Sequence, residues 1–96
     1  MGAFRYSVEA EQDVTDIIEY TFTTWGWRQA AQYLDRLEAG FGLIAQSPSI
    51  GRSCEFLRPG LKRFEIGHHV VFYSIEPEGV VIGRVLHERM LPANYL

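Results

Sequence analysis

Apolar and polar residues alternate at the start of the chain, with Phe4, Tyr6 and Val8 on one side and Arg5 and Ser7 on the other. A period of two predicts a short, half-buried first strand. From Ala10 the period changes. Ala10, Val14, Ile17, Ile18, Thr21 and Trp25 recur at spacings of three and four, the stripe of an amphipathic helix. Glu9, Glu11 and Asp13 lie near its N-terminus, where negative charge meets the positive end of the helix dipole, and Gly26 suits a left-handed C-terminal cap. A second stripe follows at Ala30, Tyr33, Leu34, Leu37, Phe41, Ile44 and Ala45, and Ser47-Pro48 stops it. Two helices joined by a few residues around Gly26 and Trp27 must run antiparallel. Their stripes cannot be buried fully against each other, so the hairpin needs another layer.

The second half of the chain supplies that layer. After a loop with Pro48, Gly51, Pro59 and Gly60, the segment Lys62 to Ile66 alternates, Phe64 and Ile66 facing one way and Arg63 and Glu65 the other. Gly67-His68 reads as a turn, His69 to Ile75 as a strand, Glu76 to Gly79 as a turn and Val80 to His87 as the last strand. The expected fold is α+β in the order β-α-α-β-β-β, with the helical hairpin packed on one face of a mostly antiparallel four-stranded sheet.

Length and composition narrow the picture. The 96 residues, 47% apolar and 22% charged, suit one globular domain spanning 1–96. The net charge of -3 removes the basic excess of a duplex nucleic-acid binder, so no direct sequence-specific nucleic-acid binding is expected. The charge is uneven: residues 1–48 hold seven acids and three bases (-4), residues 49–96 five acids and six bases (+1). Arg52, Arg58, Lys62 and Arg63 lie close together with only Glu55 among them, a patch suited to an acidic partner. The lone Cys54 cannot form an intramolecular disulfide, and the apolar run Val70 to Tyr73 is far too short to span a bilayer. A soluble cytoplasmic protein with no membrane partner is expected.

Few residues suggest chemistry. Neither a P-loop nor a dinucleotide-binding glycine pattern occurs, and no cofactor is expected. Glu9, Asp13, Asp16 and Glu19 read as a solvated helix face. His68 and His69, adjacent on an extended chain, point to opposite sides, which argues against a metal site with His87 or Cys54. Cys54 reads as a buried, inert thiol. Arg84, on an otherwise apolar strand, needs a carboxylate, a phosphate or open water, and a helix or strand acid such as Glu65 is a candidate partner. The thirteen aromatics exceed what two helix stripes and one sheet face require. Phe22, Trp27, Phe56 and Tyr95 fall outside the core pattern and are candidates for a partner surface.

Taken in order, several segments resemble the ParE branch of the RelE/ParE toxin superfamily. These are Tyr6-Ser7-Val8-Glu9-Ala10 followed by Asp13 and Ile17, Trp25-Gly26 with Ala30 and Tyr33, and Ser47-Pro48-Ser49-Ile50-Gly51-Arg52. Leu57-Arg58-Pro59-Gly60, Gly67-His68-His69-Val70-Val71-Phe72-Tyr73, and Arg84-Val85-Leu86-His87 with Arg89-Met90 complete the match, which covers essentially the whole chain. The resemblance implies a toxin of a type II toxin-antitoxin system, wrapped by a ParD-like antitoxin in a hetero-oligomer. It also implies action on DNA gyrase through contact rather than catalysis. The RelE branch instead cleaves ribosome-bound mRNA, and under that alternative Arg63, Arg84 and His87 would carry the chemistry. The chain lacks the aromatic terminus common in that branch, with Met90 standing where an aromatic would fall, and Tyr95 could substitute only if the tail folds back. The expected partner-binding residues are Trp27, Arg52, Arg58, Arg63, Arg84, His87, Met90 and Tyr95, with the tail from Met90 to Leu96 free to reach a partner.

Overall fold

Ser7 decides where the first strand ends. Its backbone N–H donates to the Ile82 carbonyl, its hydroxyl donates to the Gly83 carbonyl at 2.7 Å, and the same oxygen accepts from Ala10 N–H as a helix N-cap. One side chain thus closes strand β1 (Phe4–Tyr6) and opens helix α1 (Val8–Trp25). The computed structural model describes residues 3–96. Helix α2 (Trp27–Gln46) follows after Gly26 alone, whose φ of 96° lies in the region that favours glycine. The chain reverses there within one residue, a tighter connection than the sequence pattern suggests.

A short 3-10 turn (Pro48–Ile50) leads to β2 (Arg52–Ser53), and β3 (Lys62–Ile66), β4 (His69–Glu76) and β5 (Gly79–His87) complete the sheet. The order is β1-β5-β4-β3-β2, with β1 parallel to β5 and the other pairs antiparallel. The sheet therefore has five strands where four were expected. The extra one is a two-residue edge pairing Arg52 with Arg63 and Ser53 with Lys62, too short to leave a periodic trace in the sequence. The hairpin covers one face. Leu37, Phe41 and Ile44 of α2 and Ala10 of α1 are buried there against Ile66, Val71, Tyr73, Val80, Ile82 and Val85. Tyr73, fully buried, ends in a hydroxyl that donates to the Pro48 carbonyl at 2.7 Å and accepts from Gly51 N–H at 2.9 Å, which ties the turn after α2 to the sheet.

The far face of the sheet is covered as well. Cys54, Leu61, Val70, Phe72 and Leu86 form a second small core, completed by Leu57 from the β2–β3 loop and by Met90 and Leu96 from the tail. The tail is thus docked rather than free, a correction to the sequence expectation. Residues 91–96 double back through a 3-10 turn (Pro92–Asn94), and the terminal leucine packs on the second core. Among the described residues no helix is long and apolar enough to cross a membrane, and no group of three or more His, Cys, Asp or Glu is placed to hold a metal ion.

Candidate functional site

A bulge in β5 sets the geometry of the candidate residues. The pairing shifts from Phe72 opposite Arg84 to Tyr73 opposite Ile82, leaving Gly83 over. The extra residue turns Val85 toward the helices and Arg84 away from them. Strand β1 stops at Tyr6, opposite Ile82, so beyond it the outer edge of β5 lacks a neighbouring strand. Asp13 of α1 fills the gap. Its carboxylate accepts the Val85 N–H at 2.9 Å, Arg84 Nε at 2.8 Å and Arg84 Nη2 at 2.9 Å. The side chains of Arg84 and Asp13 are only 20% and 14% exposed, and this hydrogen bonding raises the Arg84 pKa above its usual range.

The partner of Arg84 is a helix acid, as expected, but it is Asp13 rather than Glu65, which instead meets Arg52 at 3.0 Å in an exposed pair. The expectation that Asp13 lies on a solvated face is corrected. This residue lies three positions after Ala10 and four before Ile17, hence on the buried side of the helix, a spacing already present in the sequence. The remaining Arg84 nitrogen, Nη1, donates to the Tyr95 carbonyl at 2.9 Å, and the guanidinium carbon lies 5.7 Å from the Tyr95 ring centroid. Arg84 therefore fastens the tail to the first helix.

The other candidates are dispersed. Arg52, Arg63 and Phe72 stand in direct cross-strand register with Arg84 along one row of the far face. His87 is on the opposite side, its ring 5.4 Å from that of His69 in an edge-on arrangement. At the end of β5, however, His87 lines one small pocket together with Arg63. Arg58 is exposed in the β2–β3 loop, where it lines a cleft of about 460 Å³ together with Arg84 and Tyr95. Met90 turns back at the end of β5, its sulfur accepting the His87 N–H. Trp27 begins α2 at the hairpin tip, 66% exposed, with the Arg28 guanidinium over its ring. Phe22, Phe56 and Tyr95 are exposed as well.

An apolar groove of about 450 Å³ runs between α1, the first half of α2 and the ends of β4 and β5. Ile17, Tyr20 and Trp25 form one wall, with Tyr33, His69 and His87 deeper in. Sequence reasoning missed Tyr33 and His69 as site residues. Tyr33 lies on the apolar stripe and reads as core, and His69 is one of an adjacent pair that no local signal separates. The Tyr33 hydroxyl is 2.5 Å from His69 Nδ1, while Ile66 O and His68 N–H lie at 3.3 Å. The contact ties the Tyr33 hydroxyl to the imidazole, the donor being set by the tautomer of His69.

Burial lowers the His69 pKa from 6.5 to about 4, reinforced by His87 and His68 and opposed by Glu88. Burial also raises the Tyr33 pKa. His69 is therefore neutral in the folded chain at pH 7, whereas in the unfolded chain it takes up a proton below its ordinary value. The stabilisation is complete above pH 6.5 and is lost as the pH falls toward 4. With the linkage reduced for the ring's remaining contact with water, the expected loss is about 2 kcal/mol. Urea unfolding of the wild type and His69→Phe at a series of pH values checks this. The variant should lose most of the slope between pH 6.5 and 5, and parallel curves for the two proteins would rule out His69 as the source.

Comparison with known proteins adds to the geometry. A family described as "ParE toxin of type II toxin-antitoxin system, parDE" matches residues 4–92. This chain belongs to the ParE toxin family. Toxin ParE1 of Caulobacter vibrioides is 41% identical over 90 residues, covering 94% of this chain and 93% of that protein. Toxin ParE1 of Mycobacterium tuberculosis is 39% identical over 88 residues, covering 91% and 90%. Toxin ParE of Escherichia coli is 34% identical over 91 residues, covering 94% and 88%. A solved structure described as a chromosomal ParDE TA system from P. aeruginosa superposes with a TM-score of 0.77 over 91% of this chain and 96% of that one, at 13% identity, a likeness of fold.

Proposed function

We propose that this ParE-family toxin, acting as one domain over residues 1–96, works by gripping DNA gyrase in the cytoplasm and is neutralised by a ParD-like antitoxin in a hetero-oligomer. The observation that carries the reading is how Arg84 is used. Three of its five N–H donors are engaged by Asp13 and the Tyr95 carbonyl, and its Nε–Nη2 fork is closed on the carboxylate. The His87 ring lies edge-on to a neutral His69 on the helix side of the sheet. General acid–base cleavage of RNA needs donor and acceptor within reach of one bond; the folded-back tail brings the Tyr95 ring to Arg84, whereas the His87 ring is turned to His69. A contact mechanism needs surface instead, and the groove beside Tyr20 and Trp25 offers apolar area for a partner segment.

The reading is tested by expressing the chain without an antitoxin and following transcripts and DNA damage together. Growth arrest with induction of the DNA-damage response and intact transcripts is expected. Purified toxin should also inhibit gyrase supercoiling or trap its cleaved complex. Ribosome-dependent transcript cleavage with undamaged chromosomes would overturn the proposal in favour of the ribonuclease alternative.

A further inference from the structure

The row of arginines across the far face contains one that is left over. Arg52 meets Glu65 and Arg84 meets Asp13, each at 3.0 Å or less. Arg63 stands between them in register and, among the described residues, makes no ion pair. Its Nε–H is buried without a hydrogen-bond partner, and its guanidinium carbon lies 5.9 Å from the Phe72 ring centroid. A buried, unmatched guanidinium N–H costs stability, and in a folded protein such a group calls for an explanation. Stacking on Phe72 holds the guanidinium plane in place, so part of the entropy of fixing a long side chain is already spent before anything binds.

Beside Arg63 the far face opens into a small pocket of about 70 Å³, walled by Val70, Phe72, Leu86, His87, Met90 and Pro92. Glu88 also lines the pocket, and Glu65 follows Arg63 two residues along the same strand, on the same face. Flanking carboxylates make this a poor seat for a polyphosphate chain, whose successive charges would meet Glu65 and Glu88. They leave room for one anion, on the one arginine that lacks a partner. A planar guanidinium matches a carboxylate two bonds at a time, and the adjoining pocket accepts an aliphatic group.

We propose that Arg63 is the seat for a single carboxylate of the antitoxin, with an apolar side chain of the same segment filling the pocket beside Phe72. The inference rests on the antitoxin reading above and narrows it to one side chain. Of the basic residues expected to meet the partner, Arg52 and Arg84 already pair with carboxylates of the chain, Arg58 is exposed with no ion pair among the described residues, and Arg63 is the one with a buried donor left unmatched.

The test uses the full chain and the antitoxin encoded beside it, with Arg63→Met and Arg63→Lys as variants. Binding is read by titration calorimetry, and the stability of each free variant by thermal unfolding. Arg63→Met keeps the aliphatic stem and removes the unmatched N–H. It should weaken antitoxin binding at least tenfold while the free protein melts at the same temperature or higher. Arg63→Lys, which keeps the charge but loses the planar fork, should fall between. Replacing each antitoxin carboxylate by its amide should reveal one whose loss is no longer felt in Arg63→Met. Unchanged affinity in Arg63→Met overturns the proposal, as does a lower melting temperature, which would make Arg63 a structural residue. Binding of a ten-nucleotide RNA that is lost in Arg63→Met would assign the seat to phosphate and also overturn it. An antitoxin that does not bind the wild-type chain at all is a different failure, since it removes the parent reading itself.

Discussion

Asp13→Ala is expected to destabilise the fold by about 3–5 kcal/mol, the range for removing one partner of a largely buried ion pair. For a chain of this size that is a fall in melting temperature on the order of 15 °C or more. The size follows from what is left behind. Arg84 loses both oxygens of its bidentate partner while only 20% exposed, and the Val85 N–H loses its acceptor on a strand edge where β1 has already ended. Asp13→Asn should cost less, because one oxygen remains to accept. The double variant Asp13→Leu with Arg84→Met removes both charges and should recover part of the loss, though the Val85 N–H stays unmatched. Tail contacts should report the same event, since Arg84 also holds the Tyr95 carbonyl. Hydrogen exchange at Asn94 to Leu96 should quicken in Asp13→Ala. A melting temperature within a few degrees of wild type would show that the pair contributes little and that the tail is held by Leu96 packing instead.

Phe41→Ala is the second large effect, with an expected cost of about 3–5 kcal/mol. Phe41 has no exposed surface and sits where α2 crosses the edge of the sheet, its ring 5.8 Å from Phe4 and 5.5 Å from Tyr6. Strand β1 has three residues and pairs on one side only, so it depends on these rings as much as on its hydrogen bonds. Loss of the ring leaves a cavity under an edge strand that has little else to hold it. Guanidinium chloride unfolding measures the cost, and amide exchange at Phe4 to Tyr6 should report β1 loosening before the remainder of the sheet. A cost below about 1.5 kcal/mol would mean that the hairpin settles into the gap, as cores do where neighbours can collapse.

Much of the architecture was legible because each face of an element repeats. The stripes of Ala10, Val14 and Ile17 and of Leu37, Phe41 and Ile44 mark the inner sides of both helices, and Phe64 and Ile66 the inner side of β3. The alternation also separates Arg63 from Phe64 correctly. What escaped notice had weak local signals. Strand β2 is two residues long. The docked tail has no periodicity, and its anchors are a backbone carbonyl and a terminal leucine. Asp13 is the instructive case, because its spacing from Ala10 and Ile17 placed it on the buried side and only its charge argued for solvent. A carboxylate on an apolar stripe is a sign of a hidden partner.

From the sequence alone came the order of the elements, the hairpin at Gly26, the faces of the strands and the likeness to ParE toxins. These depend on residues within a few positions of one another, where the periods of helix and strand leave a direct mark. The tertiary structure decided the pairings. Asp13 finds Arg84 seventy-one residues away because the Gly83 bulge and the early end of β1 open an edge that a carboxylate can fill. Arg63 stays unpaired because Glu65 turns to Arg52. Periodicity says which way a side chain points; only the packed layers bring it a neighbour.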